Sequence, residues 1–559
     1  MPPVARPPEL MSSEVTGDEV GPSTTSPTGG RWARVIGIGI TAFFVGLYVY
    51  NTIRFDRDTL SGDQWVWVSE VLIPYDHGRR SIWEAITFEY GSLSHSHIPT
   101  LAVLLANSRL LQLDLTVDAF VGVLSLVGVT VVVHRHTSRS SPLEPWLVTG
   151  AVAALVFMSS HFRNFTWSLL QFQMFYVLVA IWYLYRFGRQ VENPRPIHAL
   201  LVVPATLVMG DAIGVAAVLA SMVYLGAMVL GRRIQWRKAV LHLLAFPIQV
   251  AILGRLLTGE RSHGEQSFGQ FIALVREDPG GAVGAGIDTL AGALVGFRDL
   301  PPTPLSFLSW DWSAWGALAT LVLAAAAVVG VRRGGLTSHD HFPLMLVLAS
   351  GIWSAGVIRS RLWLAGSEAM QASRYVSYTT LLGVGLILVV AAKWAVLRAW
   401  RFPSGAVLLV AVLVSATGSL DLTRDVTGEH SQRASLTSLD QFVEGSIDAP
   451  SGGGLQCTVR HPCLEAAWYL WDEGLGPFAG RPSGVPSWVP ELRAAVFAEI
   501  RSIPVKERPW VCALTTPAAD LSPGVDALGV SVPPGSDAEA EKIYRRALDV
   551  QCRAWRPIR

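Results

Sequence analysis

The side chains best suited to acid–base chemistry lie in residues 53–115. Among several acids there, Asp63 stands in "GDQWVW", close to Trp65 and Trp67. Because tryptophan favours the membrane–water interface, this carboxylate is expected at the depth of the bilayer surface. A carboxylate held there can have a raised pKa or bind a divalent cation, and either property suits a general base. The alternative is an ordinary solvated acid in a loop.

Two histidines follow in "SLSHSHIPTLAVLLANSRLL". On a helix, His95 and His97 would point roughly 200° apart and could not bind one metal ion together. Pro99 fits a first helical turn and predicts a helix start near Ile98, so the imidazoles would lie just before a helix N-terminus, which favours anions. No third ligand is evident, so no metal site is predicted. The alternative is a pair of plain interfacial histidines.

Three further polar groups interrupt apolar sequence. Gln171 and Gln173 stand in "FTWSLLQFQMF", and Asp211 stands in "VMGDAIG". Polar groups within a bilayer are costly unless they face the interior of the bundle or a cavity. Hydrogen bonding between helices and contact with a substrate both explain the amides. For Asp211, capping and function remain open.

Arginines concentrate in "IRSRLWLAGSEAMQASRYVSY", on the side of the membrane that the topology below assigns to the exterior. Arg359, Arg361 and Arg374 face a single acid there, and Arg374 and Tyr375 open a predicted helix. Arginine binds phosphate oxygens through two parallel hydrogen bonds, so an anionic substrate would explain the cluster. Neutralisation of lipid headgroups is the alternative.

The composition identifies the surroundings of these residues. Of 559 residues, 51% are hydrophobic and 16% are charged, and the mean hydropathy is +0.39. Soluble domains carry about 25% charged residues, so this deficit and the repeated apolar runs predict an α-helical polytopic membrane protein. A net charge of +1 without a basic cluster gives no support for a nucleic-acid partner, whereas a lipid bilayer is expected.

The apolar runs predict about eleven transmembrane helices. Residues 1–32 lack an apolar core and are predicted to be a disordered cytoplasmic tail, followed by a transmembrane domain at 33–420. The fifth run is short and abuts the sixth, so the two can form one broken hairpin. The predicted spans are 34–52, 116–134, 143–160, 166–186, 197–209, 213–230, 238–256, 312–330, 342–358, 375–397 and 404–420.

The charges of the short loops predict the orientation. Five loops rich in arginine and lysine alternate with poorer ones and are assigned to the cytoplasm: "HRHTSRSSPLEP", "RFGRQVENPRP", "GRRIQWRK", "VRRGGLTSHDH" and "KWAVLRAWR". The N-terminus is then cytoplasmic, and the long loops 53–115 and 257–311 lie outside. An odd number of spans leaves residues 421–559 outside as a small C-terminal domain. A multi-pass protein of the plasma membrane is predicted.

All four cysteines fall in this C-terminal region: Cys457, Cys463, Cys512 and Cys552. An oxidising exterior favours disulfides, and the spacing does not resemble a zinc site. Two disulfides are therefore predicted. Of the three possible pairings, Cys457–Cys463 with Cys512–Cys552 is preferred because these cysteines are nearest in sequence.

Five short motifs occur together: "GDQW", "HSHIP", "WSLLQFQ", "GDAIG" and "SRY". This ensemble resembles bacterial multi-pass membrane proteins related to the GT-C glycosyltransferases, over about residues 34–400. The resemblance implies transfer of a sugar from a polyprenyl-phosphate donor to a cell-envelope glycan acceptor on the extracytoplasmic face. No firm cofactor is implied beyond the divalent cation considered above.

The resemblance also implies roles for individual residues. Asp63 would be the catalytic base, although GT-C enzymes often carry paired acids in this loop. Asp56 and Asp58 form a spaced pair nearer the first helix, so the identity of the base remains open. Either His95 or His97 would contact the donor phosphate or the acceptor.

The remaining implied roles concern the lipid phosphate and the pocket. Arg374 would contact the phosphate, while Asp211 and Gln173 would line the pocket. Two other classes of function remain open. A transporter or flippase of an envelope precursor also needs polar groups within helices, but the chain has no clear internal repeat and its ionisable groups cluster at the outer edge. A non-catalytic envelope scaffold is the third alternative.

Overall fold

The chain folds into α-helices, as a computed structural model describes it. The structure describes residues 27–54, 60, 63–88, 98–158, 168–192, 212–257, 268–295, 312–365, 373–424, 427–444, 446, 463–481, 484–504 and 530–555. No strand occurs within these ranges. The predicted all-helical class is therefore confirmed.

Twenty α-helices are described. The first ten are α1 (Pro27–Arg54), α2 (Asp63–Trp67), α3 (Ile73–Asp76), α4 (Ile82–Ile86), α5 (Ile98–Leu110), α6 (Thr116–Ser140), α7 (Pro145–Val156), α8 (Ser168–Gly188), α9 (Ala212–Leu230) and α10 (Trp236–Leu257). The others are α11 (Phe268–Glu277), α12 (Pro279–Gly292), α13 (Trp312–Gly334), α14 (His341–Ala365), α15 (Ser373–Ala392), α16 (Arg401–Arg424), α17 (Thr427–Glu444), α18 (Cys463–Glu473), α19 (Trp488–Ser502) and α20 (Asp537–Trp555). A π-helical turn, Val68–Leu72, joins α2 to α3.

Six of these helices are long and apolar enough to cross a membrane: α1, α6, α9, α13, α14 and α16. Ten of the eleven predicted spans overlap a described helix, while the fifth, 197–209, lies outside the described residues. Bulky apolar side chains point away from the bundle, among them Leu124, Val223 and Leu413, each more than half exposed. Such a surface fits a lipid bilayer. The count of eleven spans remains a prediction.

Close helix crossings hold the bundle together. On α1, a Cβ added to Gly37 would lie 2.3 Å from the backbone of Trp146, and one added to Gly150 of α7 would lie 2.9 Å from the Gly37 carbonyl oxygen. Only glycine allows two backbones to approach this closely, as small residues do in membrane helix pairs generally. The core between α6, α7, α8, α9, α14 and α15 is apolar.

Helix α12 lies within this bundle, although its sequence belongs to the predicted outer loop 257–311. Ala285 and Ala291 are fully buried in or beside the main core. The Thr320 hydroxyl of α13 donates a hydrogen bond of 2.8 Å to the Leu290 carbonyl oxygen. Small residues such as these let α12 approach the neighbouring backbones, so part of this segment is a structural element of the bundle.

One end of the bundle gathers several loops that the charge pattern assigns to the cytoplasm, and we call it the loop end. Ser141 donates a 3.2 Å hydrogen bond to the Ala391 carbonyl oxygen, which joins the ends of α6 and α15. The buried Lys393 ammonium lies 2.6 Å from the Asp340 carboxylate. These contacts bring the loops after α6, α13 and α15 to the same end.

A second hydrophobic core lies at the other end. It is built jointly by α2–α5 and by α17–α20, and we call these helices together the cap. Trp65 and Leu101 from the first set and Leu464 and Leu492 from the second are buried in this one core. The described C-terminal helices therefore share their core with residues 63–115.

Polar contacts join the two parts of the cap. The Gly476 N–H donates a 2.8 Å hydrogen bond to the Gln112 carbonyl oxygen, and Arg501 donates one of 3.1 Å to the Ser69 carbonyl oxygen. The Tyr469 hydroxyl donates to the Asp76 carboxylate. Each bond links a residue of 63–115 to one more than 350 positions away, so the cap forms only when both parts of the chain have been synthesised.

Replacing Gly383 on α15 by alanine should destabilise the bundle. The added Cβ would lie 2.0 Å from the Ala293 carbonyl oxygen. This is a backbone atom just beyond α12, so no side-chain rotation can relieve the clash. Such overpacking typically costs about 1–3 kcal/mol in the free energy of unfolding, which denaturant titration in detergent would measure. Gly351→Ala on α14 is the control, because no atom lies within 4 Å of its added Cβ. Equal stability of the two variants would contradict the contact between α12 and α15.

Candidate functional site

Most of the candidate residues from the sequence lie at the cap end, but few of their side chains are described. His95, His97 and Asp211 lie outside the described residues. Five others stand on described helices with side chains outside the described part: Asp63 opens α2, Gln171 is on α8, Arg361 is on α14, and Arg374 and Tyr375 begin α15. Arg359 is exposed on α14, and Gln173 is half-buried on α8.

Helix α5 connects the cap to the bundle. It begins at Ile98, where Pro99 indicated a helix start. Its apolar residues Leu101 and Leu104 pack in the cap core, whereas the Thr100 hydroxyl lies 2.7 Å from the Tyr176 hydroxyl of α8. The first turn of α5 therefore lies against α8.

Gln173 lies in a hydrogen-bonded network between α8, α14 and α15. The Tyr378 hydroxyl is 3.5 Å from the Gln173 side-chain oxygen, and the Tyr378 ring stacks on Trp353 with centroids 4.4 Å apart. Helices α14 and α15 run in opposite directions. Arg359, nearly two turns beyond Trp353, and Arg374, one turn before Tyr378, therefore both stand on the cap side of this ring pair.

Helices α6 and α8 run side by side in the same direction. The rings of His136 and Tyr185 lie 6.3 Å apart, and a Cβ added to Gly128 would meet Leu178 at 2.9 Å. Both helices rise about 1.5 Å per residue, so the difference in residue number between these facing pairs stays the same along the two helices. It places the first turn of α6 level with the first turn of α8. We refer to the first turns of α5, α6, α8 and α15 with the last turns of α14 as the cap-end cluster.

The first turn of α6 contributes Asp118 to this cluster, a carboxylate that sequence reasoning missed. Asp118 is 5% exposed, and no hydrogen bond or ion pair joins it to any residue that the structure describes. Its neighbour Asp114 is exposed and accepts a 2.9 Å hydrogen bond from the Thr116 N–H. An ionised carboxylate buried without a partner is costly, so Asp118 requires a functional or a structural explanation. The sequence signal for Asp118 was an acid at the third position of the predicted span 116–134.

A second group of perturbed acids joins the two parts of the cap. Glu465 on α18 is ion-paired with Arg501, which also donates to the Ser69 carbonyl oxygen. Burial raises the pKa of Glu465 to about 7, although the Arg501 guanidinium acts in the opposite direction. The protonation of this carboxyl group near neutral pH is therefore linked to the contact between α18 and residues 63–115.

A cavity of about 230 Å³ opens beside this junction, between α18 and α19. The Asp472 carboxylate lies 2.7 Å from Arg493, whose guanidinium stacks over Trp468 at 4.6 Å. Burial raises the pKa of Asp472 to about 6, while Arg493 opposes that shift. None of these residues drew attention in the sequence, because they come together only when the C-terminal helices fold against residues 63–115.

The donor set for a metal ion is not assembled in the described part of the chain. No group of three or more histidine, cysteine, aspartate or glutamate side chains is placed to hold a metal ion among the described residues. The described residues thus give no support to the divalent cation considered for Asp63. The Asp63 side chain itself lies outside the described part of the chain. Cys463 and Cys552 are buried and neither is a free thiol. Cys457 and Cys512 lie outside the described residues, so the disulfide pairing remains a prediction.

Comparison with known proteins adds no identification. No protein-family model matches the chain, and no curated protein matches it.

The stability of the cap should depend on the protonation of Glu465. Its pKa is higher in the folded than in the unfolded chain, so folding binds a proton and the free energy of unfolding should fall as pH rises from about 4.5 to about 7. The contribution is on the order of 3 kcal/mol over this range. Thermal unfolding in detergent across this pH range should show a shallower dependence for Glu465→Gln. The exposed Glu444→Gln is the control, and an unchanged slope in Glu465→Gln would contradict the assignment.

Proposed function

We propose that the chain is a membrane glycosyltransferase that moves a sugar from a polyprenyl-phosphate donor to a cell-envelope acceptor at the cap end of the bundle. The observation that carries this proposal is the buried carboxylate of Asp118, which has no hydrogen-bond or ion-pair partner among the described residues and lies level with the first turn of α8. Three of the five motifs that resemble the GT-C family support it, since "HSHIP", "WSLLQFQ" and "SRY" lie on or next to α5, α8 and α15 of the cap-end cluster.

The proposed reaction requires a base and a cationic site for phosphate. A carboxylate takes the proton of an acceptor hydroxyl as the hydroxyl oxygen attacks the anomeric carbon. The bond between that carbon and the phosphate oxygen breaks, and its electron pair leaves with the polyprenyl phosphate. Asp118 and Asp63 are the two candidate bases. Arg359, Arg361 and Arg374 would stabilise the leaving phosphate, because arginine matches phosphate geometry.

The shared core of the cap supports its assignment to one side of the membrane. Because residues 63–115 and α17–α20 pack together, the chain between them must cross the membrane an even number of times. Among the described residues, nine helices that overlap predicted spans lie between them (α6–α10 and α13–α16), and the predicted span 197–209 would make the number even. The arginine-rich loops gather at the opposite end, which the positive-inside rule assigns to the cytoplasm. The cap would then be extracytoplasmic.

The test is transfer by the full chain in lipid nanodiscs. Sugars linked to polyprenyl phosphate would be supplied with an envelope-glycan fraction, and released polyprenyl phosphate would be measured by mass spectrometry. Asp118→Asn should reduce release by about 10²–10⁴-fold, the usual contribution of a general base, while binding of the lipid donor persists. Asp114→Asn is the matched control, because Asp114 is an exposed acid one turn away and the amide oxygen of the variant can still accept the hydrogen bond from the Thr116 N–H.

Asp63→Asn decides between the two candidate bases. If Asp63 is the base, its variant loses activity and Asp118→Asn keeps it. Activity of both variants at the level of the unmodified chain would overturn the acid–base mechanism. Passage of the lipid-linked sugar across a vesicle membrane without release of polyprenyl phosphate would instead identify a flippase.

A further inference from the structure

The cavity in the cap shares no lining residue with the cap-end cluster. Its volume is about 230 Å³, room for several waters at ~30 Å³ each. Ile73 and His77 from the first outer segment close one side, and residues of α18 and α19 form the rest. Because both parts of the cap contribute to its wall, the cavity exists only in the assembled cap.

The inner wall of the cavity is apolar. Ile73, Trp468 and Phe497 line it and are almost fully buried, while Pro490 and Ala494 form a half-buried side. Small-molecule sites are commonly concave and mostly apolar, with a few polar groups that fix the orientation of the ligand. This wall fits the carbon framework of a ligand.

The deeper charges of the cavity are already matched. Asp472 and Arg493, 6% and 9% exposed, form an ion pair with an oxygen–nitrogen distance of 2.7 Å. Glu465 is ion-paired with Arg501. Neither pair presents an unmatched charge, so these acids do not define the ligand.

The unmatched charges lie at the rim. Glu473 and Glu491 line the cavity and are exposed, and neither forms an ion pair with any residue in the described part of the chain. The third ionisable rim group, His77, accepts a 2.7 Å hydrogen bond from Arg79, and burial together with the Arg79 charge lowers the pKa of His77. The imidazole is therefore neutral at pH 7, and the two lining carboxylates at the rim remain negative.

We propose that this cavity binds a small organic cation, a primary ammonium group carried on a compact carbon framework. The ammonium lies between Glu473 and Glu491, and the framework lies against Trp468 and Phe497. An amino sugar and a lysine-like side chain both present this chemistry. An anion is disfavoured by the rim carboxylates, and a bare metal ion by the apolar wall and by the lack of a three-ligand group among the described residues.

Calorimetric titration of the full chain in nanodiscs at pH 7 and low salt tests the proposal. The probes are glucosamine against N-acetylglucosamine, and Nα-acetyl-lysine amide against its Nε-acetylated form. In at least one pair the amine should bind at least tenfold more tightly than its neutral partner, and that pair identifies the source of the ammonium. Because exposed charges are screened by salt, binding should weaken as the ionic strength rises.

Two variants locate the binding. Glu473→Gln with Glu491→Gln should weaken amine binding at least tenfold, whereas the control Glu444→Gln with Glu499→Gln removes two exposed carboxylates outside the cavity and should leave it within twofold. Ala494→Leu should abolish binding by filling the half-buried side. No binding of either amine at millimolar concentration, equal binding of the acetylated probes, or equal effects of the two double variants would each overturn the proposal. None of these measurements depends on glycosyl transfer.

Discussion

Burial of one hydrophobic core by two distant parts of the chain is the constraint on which the rest of the structure depends. Trp65 and Leu101 from residues 63–115 and Leu464 and Leu492 from the C-terminal helices are removed from water together. Neither set of helices covers its apolar face alone. Burial of side chains of this size contributes about 1.5–3 kcal/mol each, so separating the two sets would expose a large apolar surface. The cap therefore holds the start of α6 and the end of α16 at the same end of the bundle.

The same constraint positions the candidate functional residues. Helix α5 buries Leu101 and Leu104 in the cap and places Thr100 against Tyr176 of the bundle, so the cap is positioned over the first turns of α6 and α8. The cavity also depends on this joint core, since Ile73 and His77 reach α18 only through it. The placement of the cap-end cluster and the formation of the cavity thus both depend on this one core.

Local signals in the sequence predicted much of the fold. Apolar runs located ten bundle helices, and Pro99 located the start of α5, because hydropathy and proline geometry act within a few residues. Helix α12 was missed, since its glycine- and alanine-rich sequence lacks the bulky residues of a spanning helix and gains its stability from close backbone contact. The shared cap core could not be predicted, because no local pattern records contacts between residues more than 350 positions apart.

The candidate site was predicted in outline only. The polar residues of α8, α14 and α15 were identified by their contrast with apolar surroundings. In the structure, the parts of these helices that carry them lie at the same end of the bundle. Asp118 gave the same contrast but stands at the start of a span, where acids are common. The acids of the cap gave no signal, because the raised pKa of Glu465 and of Asp472 comes from burial by helices remote in sequence.

The loop end bears on the choice between an enzyme and a transporter. Asp340 is fully buried, lies 2.6 Å from Lys393 and accepts a 2.7 Å hydrogen bond from the Thr337 N–H, while Lys393 also donates to the Gly335 carbonyl oxygen at 2.8 Å. Breaking a buried ion pair of this kind typically costs about 3–5 kcal/mol. Alternating access would have to open this end in every cycle. A bundle held closed at this end by a buried ion pair fits chemistry at one membrane surface better than passage across it. The buried Asp118 carboxylate at the opposite end, which has no partner within the described ranges, agrees with this.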